Sequence, residues 1–217
     1  MKRAIWSVAL AILAVATVIP VMAAEGDPIQ GYVAGGYAQP LGHADDLLTG
    51  GWNISGGAIF HPNPTKPFGV RVDLGFNTWN ATSSAINNYG GTGAAYVDGG
   101  YANMWTLTTD ALWHFGKPDR VGGYIGLGIG GYRRYAAVTN YVTQVGYICD
   151  PWWGCYYAPY TGSQTVAHDT LTKFGYNGSL GITFPVGNGE MYLEGRFHYV
   201  VGDPATEFVP ILLGYRF

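Results

Sequence analysis

The 217-residue sequence predicts an all-β fold, an eight-stranded antiparallel up-and-down transmembrane β-barrel. Three observations carry this. The chain holds 34 Gly, 17 Tyr, 9 Phe and 7 Trp, yet only 12% of its residues are charged, about half the usual ~25% of a soluble domain. Between Gly and Pro punctuation the hydrophobicity alternates with period two, and helical periodicity is absent. The connections alternate between short turns and long excursions. Beyond the N-terminus no stretch approaches the ~18 apolar residues of a membrane helix, which excludes a helical bundle. The aromatic content excludes a disordered chain.

Lys2 and Arg3 form a short basic region ahead of an apolar stretch over 4–21 that Pro20 interrupts late. Ala23 and Ala24 then precede Glu25. This pattern predicts a signal peptide over 1–24, cleaved after Ala23 or Ala24, and a mature barrel domain over 25–217. An uncleaved anchor fits Pro20 and the alanines less well. Removing Lys2 and Arg3 leaves 9 basic against 14 acidic residues, a formal charge of −5. Such a chain is not expected to bind nucleic acid. Export implies an oxidising compartment.

The strands follow in order. The first, about Gln30 to Gln39, is Gly-rich and its faces are not assignable. The second, about Trp52 to Phe60, alternates faintly. In the third, Val70, Val72, Leu74 and Phe76 oppose Arg71, Asp73, Gly75 and Asn77. In the fourth, Trp105, Leu107, Ala111 and Trp113 oppose Thr106, Asp110 and His114. In the fifth, Ile125, Leu127 and Ile129 oppose Gly126, Gly128 and Gly130. In the sixth, Phe174, Tyr176, Leu180 and Ile182 oppose Lys173, Asn177, Ser179 and Thr183. In the seventh, Leu193, Gly195, Phe197 and Tyr199 oppose Glu194, Arg196 and His198. In the eighth, Val209, Ile211, Leu213, Tyr215 and Phe217 oppose Pro210, Leu212, Gly214 and Arg216.

Residues 61–67, 116–120 and 185–189 carry strong turn chemistry and make short connections. Residues from about Asn80 to Gly100 and from about Ala137 to Asp169 are expected to be long loops. Loops of that length are unusual in a soluble domain. Short turns at one end and long loops at the other are the asymmetry of an outer-membrane barrel.

Such a barrel turns its apolar face to lipid and its polar face inward. The polar face here has too few charges for a water-exposed exterior, and their signs are mixed. Arg71, Lys173, Arg196 and Arg216 stand against Asp73, Asp110 and Glu194, with His114 and His198 nearby. These nine residues are the expected polar network of the lumen. Gly126, Gly128 and Gly130 share that face, as a crowded interior requires. Trp105 and Trp113 are eight residues apart with equal parity, as are Trp52 and Phe60. At ~3.3 Å per residue and ~40° tilt, that spacing rises about 20 Å, close to the height of an apolar band between aromatic girdles. Lipid cannot satisfy an open strand edge, so the first strand is expected to pair with the eighth.

The chain resembles the small eight-stranded outer-membrane barrels of Gram-negative bacteria, the OmpA/OmpX-like barrel-domain family. The resemblance lies in the signal peptide, the run Tyr124-Ile125-Gly126-Leu127-Gly128-Ile129-Gly130, the run from Tyr192 to Tyr199, and the close from Phe208 to Phe217. It implies a place in the bacterial outer membrane, surrounded by lipid and lipopolysaccharide, and a monomer. It also implies delivery by periplasmic chaperones to the barrel-assembly machinery. Phe217, with Tyr215 and Leu213 before it, is similar to the assembly signal of that family. The last strand closes on Phe217, so the peptidoglycan-binding domain that some members add is not expected.

An eight-stranded interior is just wide enough for side chains, so the lumen charges are read as a structural plug, with a gated ion path as the alternative. Ser163, His168 and Asp169 with His198 are the only candidates for a lipid-modifying enzyme, and no nucleophile signature marks them. The five His are scattered and the cysteines lack CxxC spacing, so no metal and no cofactor is expected. An OmpW-like conduit for small apolar molecules is the remaining alternative.

The expected role is therefore non-enzymatic, a structural surface barrel whose loops serve envelope integrity, adhesion or recognition of an extracellular ligand. Trp152, Trp153, Tyr156 and Tyr157 in the third long loop are the recognition candidates, since Tyr and Trp give large rigid contact area. Cys149 and Cys155, separated by a segment containing Pro151 and Gly154, are expected to form a disulfide. It would either stiffen the loop tip for binding or protect it from proteases.

Overall fold

The computed structural model describes residues 28–63, 66–90, 99–116, 120–150 and 154–217. Residues 1–24, Trp152 and Trp153 lie outside the described residues. Eight strands close into one antiparallel barrel in chain order. They are β1 (Ile29–Leu41), β2 (Gly51–Phe60), β3 (Phe68–Asn80), β4 (Gly99–Phe115), β5 (Gly122–Asp150), β6 (Gly154–Val186), β7 (Gly189–Val200) and β8 (Thr206–Arg216). Closure joins β1 to β8 from Tyr32↔Arg216 to Leu41↔Glu207. The backbones of Gly31 and Phe217 finish it with reciprocal hydrogen bonds of 3.0 and 3.1 Å. The sheet therefore has no free edge around the barrel wall, which is what a bilayer demands.

Alternation decides what each face meets. Leu74, Leu107, Leu127, Leu180 and Leu213 stand outward and are more than half exposed, Leu127 at 74%. Aromatic side chains bound this apolar belt. Phe76 packs between Trp52 at 5.6 Å and Trp105 at 4.9 Å toward the long-strand end, and Phe60, Phe68, Trp113 and Phe115 are exposed toward the short turns. A belt of exposed leucines between two rings of aromatics is the outside of a membrane barrel. Among the described residues no helix is long and apolar enough to cross a membrane.

The faces of β1 and β2, undecided from the sequence, are set by the barrel. Tyr32, Ala34 and Ala38 turn inward on β1, and Asn53, Ser55 and Ile59 on β2. Glycines make room for inward rings. Gly181 lies opposite Tyr124 and Gly214 opposite Tyr192 in the strand registers. A Cβ on Gly181 or Gly214 would stand 2.4 or 2.3 Å from that ring. Each tyrosine thus covers the glycine of its neighbouring strand.

Two expectations about the connections are corrected. The connection over 80–100 contains a helix, α2 (Ser83–Gly90), and the first long connection contains a shorter one, α1 (His43–Leu47). The segment 137–169 is not a loop. β5 runs on to Asp150 and β6 starts at Gly154, in register from Thr139↔Thr165 to Asp150↔Gly154 with an irregularity at Val138/Thr139. The run from Val138 to Ile148 is rich in Val, Thr and Tyr, residues that suit a pleated strand. Expecting a strand to stop at one membrane crossing hides that continuity.

A sealed lumen beneath a projecting hairpin

Inside the barrel the charges lie between two apolar layers. Toward the short turns, Tyr32, Ile59, Leu112, Tyr124, Tyr192 and Leu212 form one buried cluster. Toward the long strands, Trp79, Met104, Tyr132, Val200 and Phe208 form another. Leu112, Leu212 and Trp79 share the inward face with the charges, so the lumen is less uniformly polar than expected.

Five of the nine predicted lumen residues meet in one network between these layers. Arg71 Nε donates to Asp110 Oδ2 at 2.7 Å, its partner in the β3–β4 register. Arg71 Nη1 donates to Glu194 Oε2 at 2.6 Å, and Nη2 to Ser179 Oγ at 3.3 Å. Arg196 Nε donates to Glu194 Oε1 at 2.6 Å, and Nη1 to Asp73 Oδ1 at 2.8 Å. Glu194 thus receives one arginine on each oxygen. Tyr32 donates its hydroxyl to Asp73, and Tyr124 donates to Glu194. Arg71 is 1% exposed, and Asp110 and Glu194 are 0% exposed. Burial this complete is tolerable only because each charge is matched by an opposite one, with tyrosine hydroxyls donating to Asp73 and Glu194 as well.

The other four predicted lumen residues stand elsewhere. Arg216 lies nearer the short turns, with its guanidinium 4.4 Å from the Tyr124 ring and 5.0 Å from that of Tyr192. Its Nη1 stands 3.2 Å from His114 Nε2 and 3.5 Å from Glu190 Oε2. His198 sits in the layer above the network. Its Nδ1 is 2.9 Å from the Tyr132 hydroxyl, and its ring stacks on Phe208 at 4.5 Å. Lys173 is the correction. It faces inward opposite Tyr132, but it is exposed at the long-strand mouth and makes none of these ion pairs. The strand alternation assigns its face but not its neighbours: the β6–β7 ladder ends at Gly175↔Val200, so Lys173, two residues further on, has β5 on one side and no β7 residue on the other.

Tyr32, Tyr124, Ser179 and Glu190 were not among the predicted site residues. Tyr124 could have been found, since it shares parity with Gly126 and Gly128. Tyr32 could not, because β1 offers no clean alternation. In the turn after β2, His61 lies 5.4 Å from His114 between ring centroids. Burial, and then the Arg216 guanidinium, holds the His61 imidazole below its ordinary range.

Above the barrel, β4 leaves β5 at Gly99↔Thr139 and β7 leaves β6 at Gly175↔Val200. Beyond those points β5 and β6 continue as a hairpin, and from Thr139 to Asp150 its reach is roughly 35 Å at 3.3 Å per residue. Cys149 and Cys155 are partners in its register and are joined by a disulfide. Tyr147 and Tyr157 pack with ring centroids 5.0 Å apart, and Tyr156 and Tyr157 are exposed.

The enzyme candidates do not converge. Ser163 and His168 stand opposite Tyr141 and Ala137 in the β5–β6 register, four β5 residues and so about 13 Å apart along the hairpin, too far to act together. His168 stacks on Tyr135 at 5.7 Å, Asp169 lies 3.7 Å from Arg134, and His198 is buried in the lumen. Among the described residues no group of three or more His, Cys, Asp or Glu is placed to hold a metal.

This geometry defines a small eight-stranded outer-membrane barrel. Solved structures share the fold. Neisserial surface protein A is similar at TM-score 0.55 and 12% identity, over 88% of this chain and 96% of that one. A major outer membrane protein from Thermus thermophilus is similar at TM-score 0.54 and 13% identity, over 88% and 99%. No protein-family model matches the sequence, and no curated protein does.

Proposed function

We propose that this protein is a non-enzymatic surface barrel that conducts no solute and uses the β5–β6 hairpin to recognise an extracellular ligand. One observation carries the reading. The interior is filled by paired charges between two aromatic layers, while the longest strands leave the membrane and end in a cross-linked, aromatic tip. A barrel that only anchored itself would not require that extension. Tyr156 and Tyr157 are the contact residues of this reading, with Trp152 and Trp153 beside them in sequence. Lipid and lipopolysaccharide around the belt, assembly through Phe217, Tyr215 and Leu213, and a monomeric state belong to the same reading.

The test compares cells displaying the full chain with cells displaying a chain shortened by residues 141–164. Attachment to matrix-coated and abiotic surfaces should fall in the shortened variant at equal surface levels. Stable conductance steps from the purified barrel in planar bilayers would favour a conduit instead. A changed lipid A profile on overexpression, lost in His168→Ala, would favour an enzyme.

A further inference from the structure

The long-strand mouth of the barrel opens into a cavity of about 580 Å³. That volume is typical of small-molecule sites, which run from roughly 300 to 1,000 Å³. Trp79, Met104, Tyr132 and Phe208 form its floor, and all four are nearly completely buried. Trp79 and Phe208 meet edge-on at 5.2 Å, and Trp79 Nε1 is already committed to the Ala38 carbonyl at 3.0 Å. Beside Phe208 its register partner His198 stacks on it and closes the same level, and Arg196 of the charge network lies two residues deeper on β7. The cavity is therefore a blind cup, and nothing that enters it has a path through the barrel.

Its wall is held in place beforehand. The two helical connections are tied to each other, with Thr82 N donating to the Leu47 carbonyl at 2.9 Å and Thr82 Oγ1 to that of Asp46 at 2.8 Å. Leu48 and Ala81 add a β-bridge, and both line the cup. On the opposite side the wall is β5 and β6 through Ala136 and Leu171. The charged rim has mixed signs. Arg134 and Lys173 stand with Asp169, Asp203 and Glu207, so it does not select for either ionic sign. What remains as a basis for selection is an apolar interior with an aromatic floor.

We infer that this cup is a binding site for a small, uncharged, ring-bearing apolar molecule, taken from the extracellular side and held without being conducted. The inference is independent of the recognition role proposed for the hairpin, because the residues of the cup floor lie within the barrel.

Methionine provides a reporter and a control. Within residues 25–217 there are two methionines, Met104 in the cup floor and Met191 facing outward near the short turns. The barrel is labelled with 13C-methyl methionine, placed in lipid nanodiscs, and titrated with 2-naphthol. The Met104 methyl resonance should shift saturably while that of Met191 stays fixed. Ala136→Trp, which fills the cup from its wall, should weaken the Met104 response at least tenfold, with heat-modified gel mobility showing that the variant is folded. Three results would overturn the inference: both methyls drifting together without saturation, Met104 unmoved up to the solubility limit, or an unchanged response in Ala136→Trp. Nuclear Overhauser contacts between lipid acyl chains and the Met104 methyl that 2-naphthol does not displace would also overturn it, since the cup would then belong to lipid.

Discussion

Arg71 on β3 and Glu194 on β7 meet across the barrel at 2.6 Å, although 123 residues separate them in the chain. β3 and β7 stand half a circumference apart, so this bond ties opposite walls through the centre of the lumen. Arg196 binds the other oxygen of Glu194 and passes the connection on to Asp73.

Removing Glu194 leaves both arginines with less than their full set of partners. Arg71 keeps Asp110 and Arg196 keeps Asp73, so the cost of Glu194→Ala should sit near the low end of the ~3–5 kcal/mol for a broken buried pair. Thermal unfolding in detergent should move to lower temperature. A more stable Ala variant would mean that Glu194 faces lipid and that the inside and outside of the barrel are reversed.

Gly128 on β5 leaves space for Asp110. A Cβ there would stand 1.9 Å from Asp110 Oδ1 and 2.8 Å from the Thr109 carbonyl oxygen. Gly128→Val should therefore displace the acid that holds Arg71 and sharply reduce folded barrel. Gly131→Val is the control, because nothing lies within 4 Å of a Cβ at that position. It should change stability by less than about 0.5 kcal/mol. Equal yields of folded protein from the two variants would contradict the packing described.

Most of the barrel is legible in the chain, and the reasons differ by element. In β3 and β7 the outside is mainly aliphatic or aromatic and the inside mainly charged or polar, and in β8 Gly214 and Arg216 mark the inner side of a largely apolar run, so alternation assigns both faces. In β1 it assigns neither, because Gly31, Gly35 and Gly36 carry no side chain to report a face. The charge network is accessible as a set of residues but not as a set of pairs. Pairing across a lumen depends on register and height, which is why alternation groups Lys173 with residues that lie deeper. The hairpin resembles a loop as long as strand length is inferred from the membrane, and the membrane does not limit a strand that leaves it.

The turn after β2 should make stability depend on pH. Burial and Arg216 keep His61 below its ordinary value of 6.5 in the folded barrel, whereas the unfolded chain takes up a proton near 6.5. The unfolded state then binds more protons, so stability should fall as pH drops below about 6.5 toward the lowered folded value. His61→Asn should flatten that part of the pH–stability curve. An unchanged curve in the variant would remove His61 as its source.

The disulfide closes only a short loop, so its effect should be local, about 2 kcal/mol on the hairpin tip. Mass spectrometry after alkylation of unreduced protein should find no free thiol at Cys149 or Cys155. The double variant Cys149→Ser/Cys155→Ser should unfold at the same temperature as the parent barrel but be cut faster by proteases near the tip. A lowered barrel unfolding temperature would show that the hairpin supports the wall. Two free thiols in the parent would dismiss the bond.

Nitroxide labels at Leu127 on β5 and Leu213 on β8 would probe the lipid-facing belt that defines this barrel. Each is introduced as a single cysteine in the Cys149→Ser/Cys155→Ser background and measured in bilayers against oxygen, which dissolves in lipid, and a nickel chelate, which stays in water. Both positions should relax strongly with oxygen and weakly with nickel. Strong relaxation by nickel at both would place the leucine belt in water and contradict a membrane-spanning barrel.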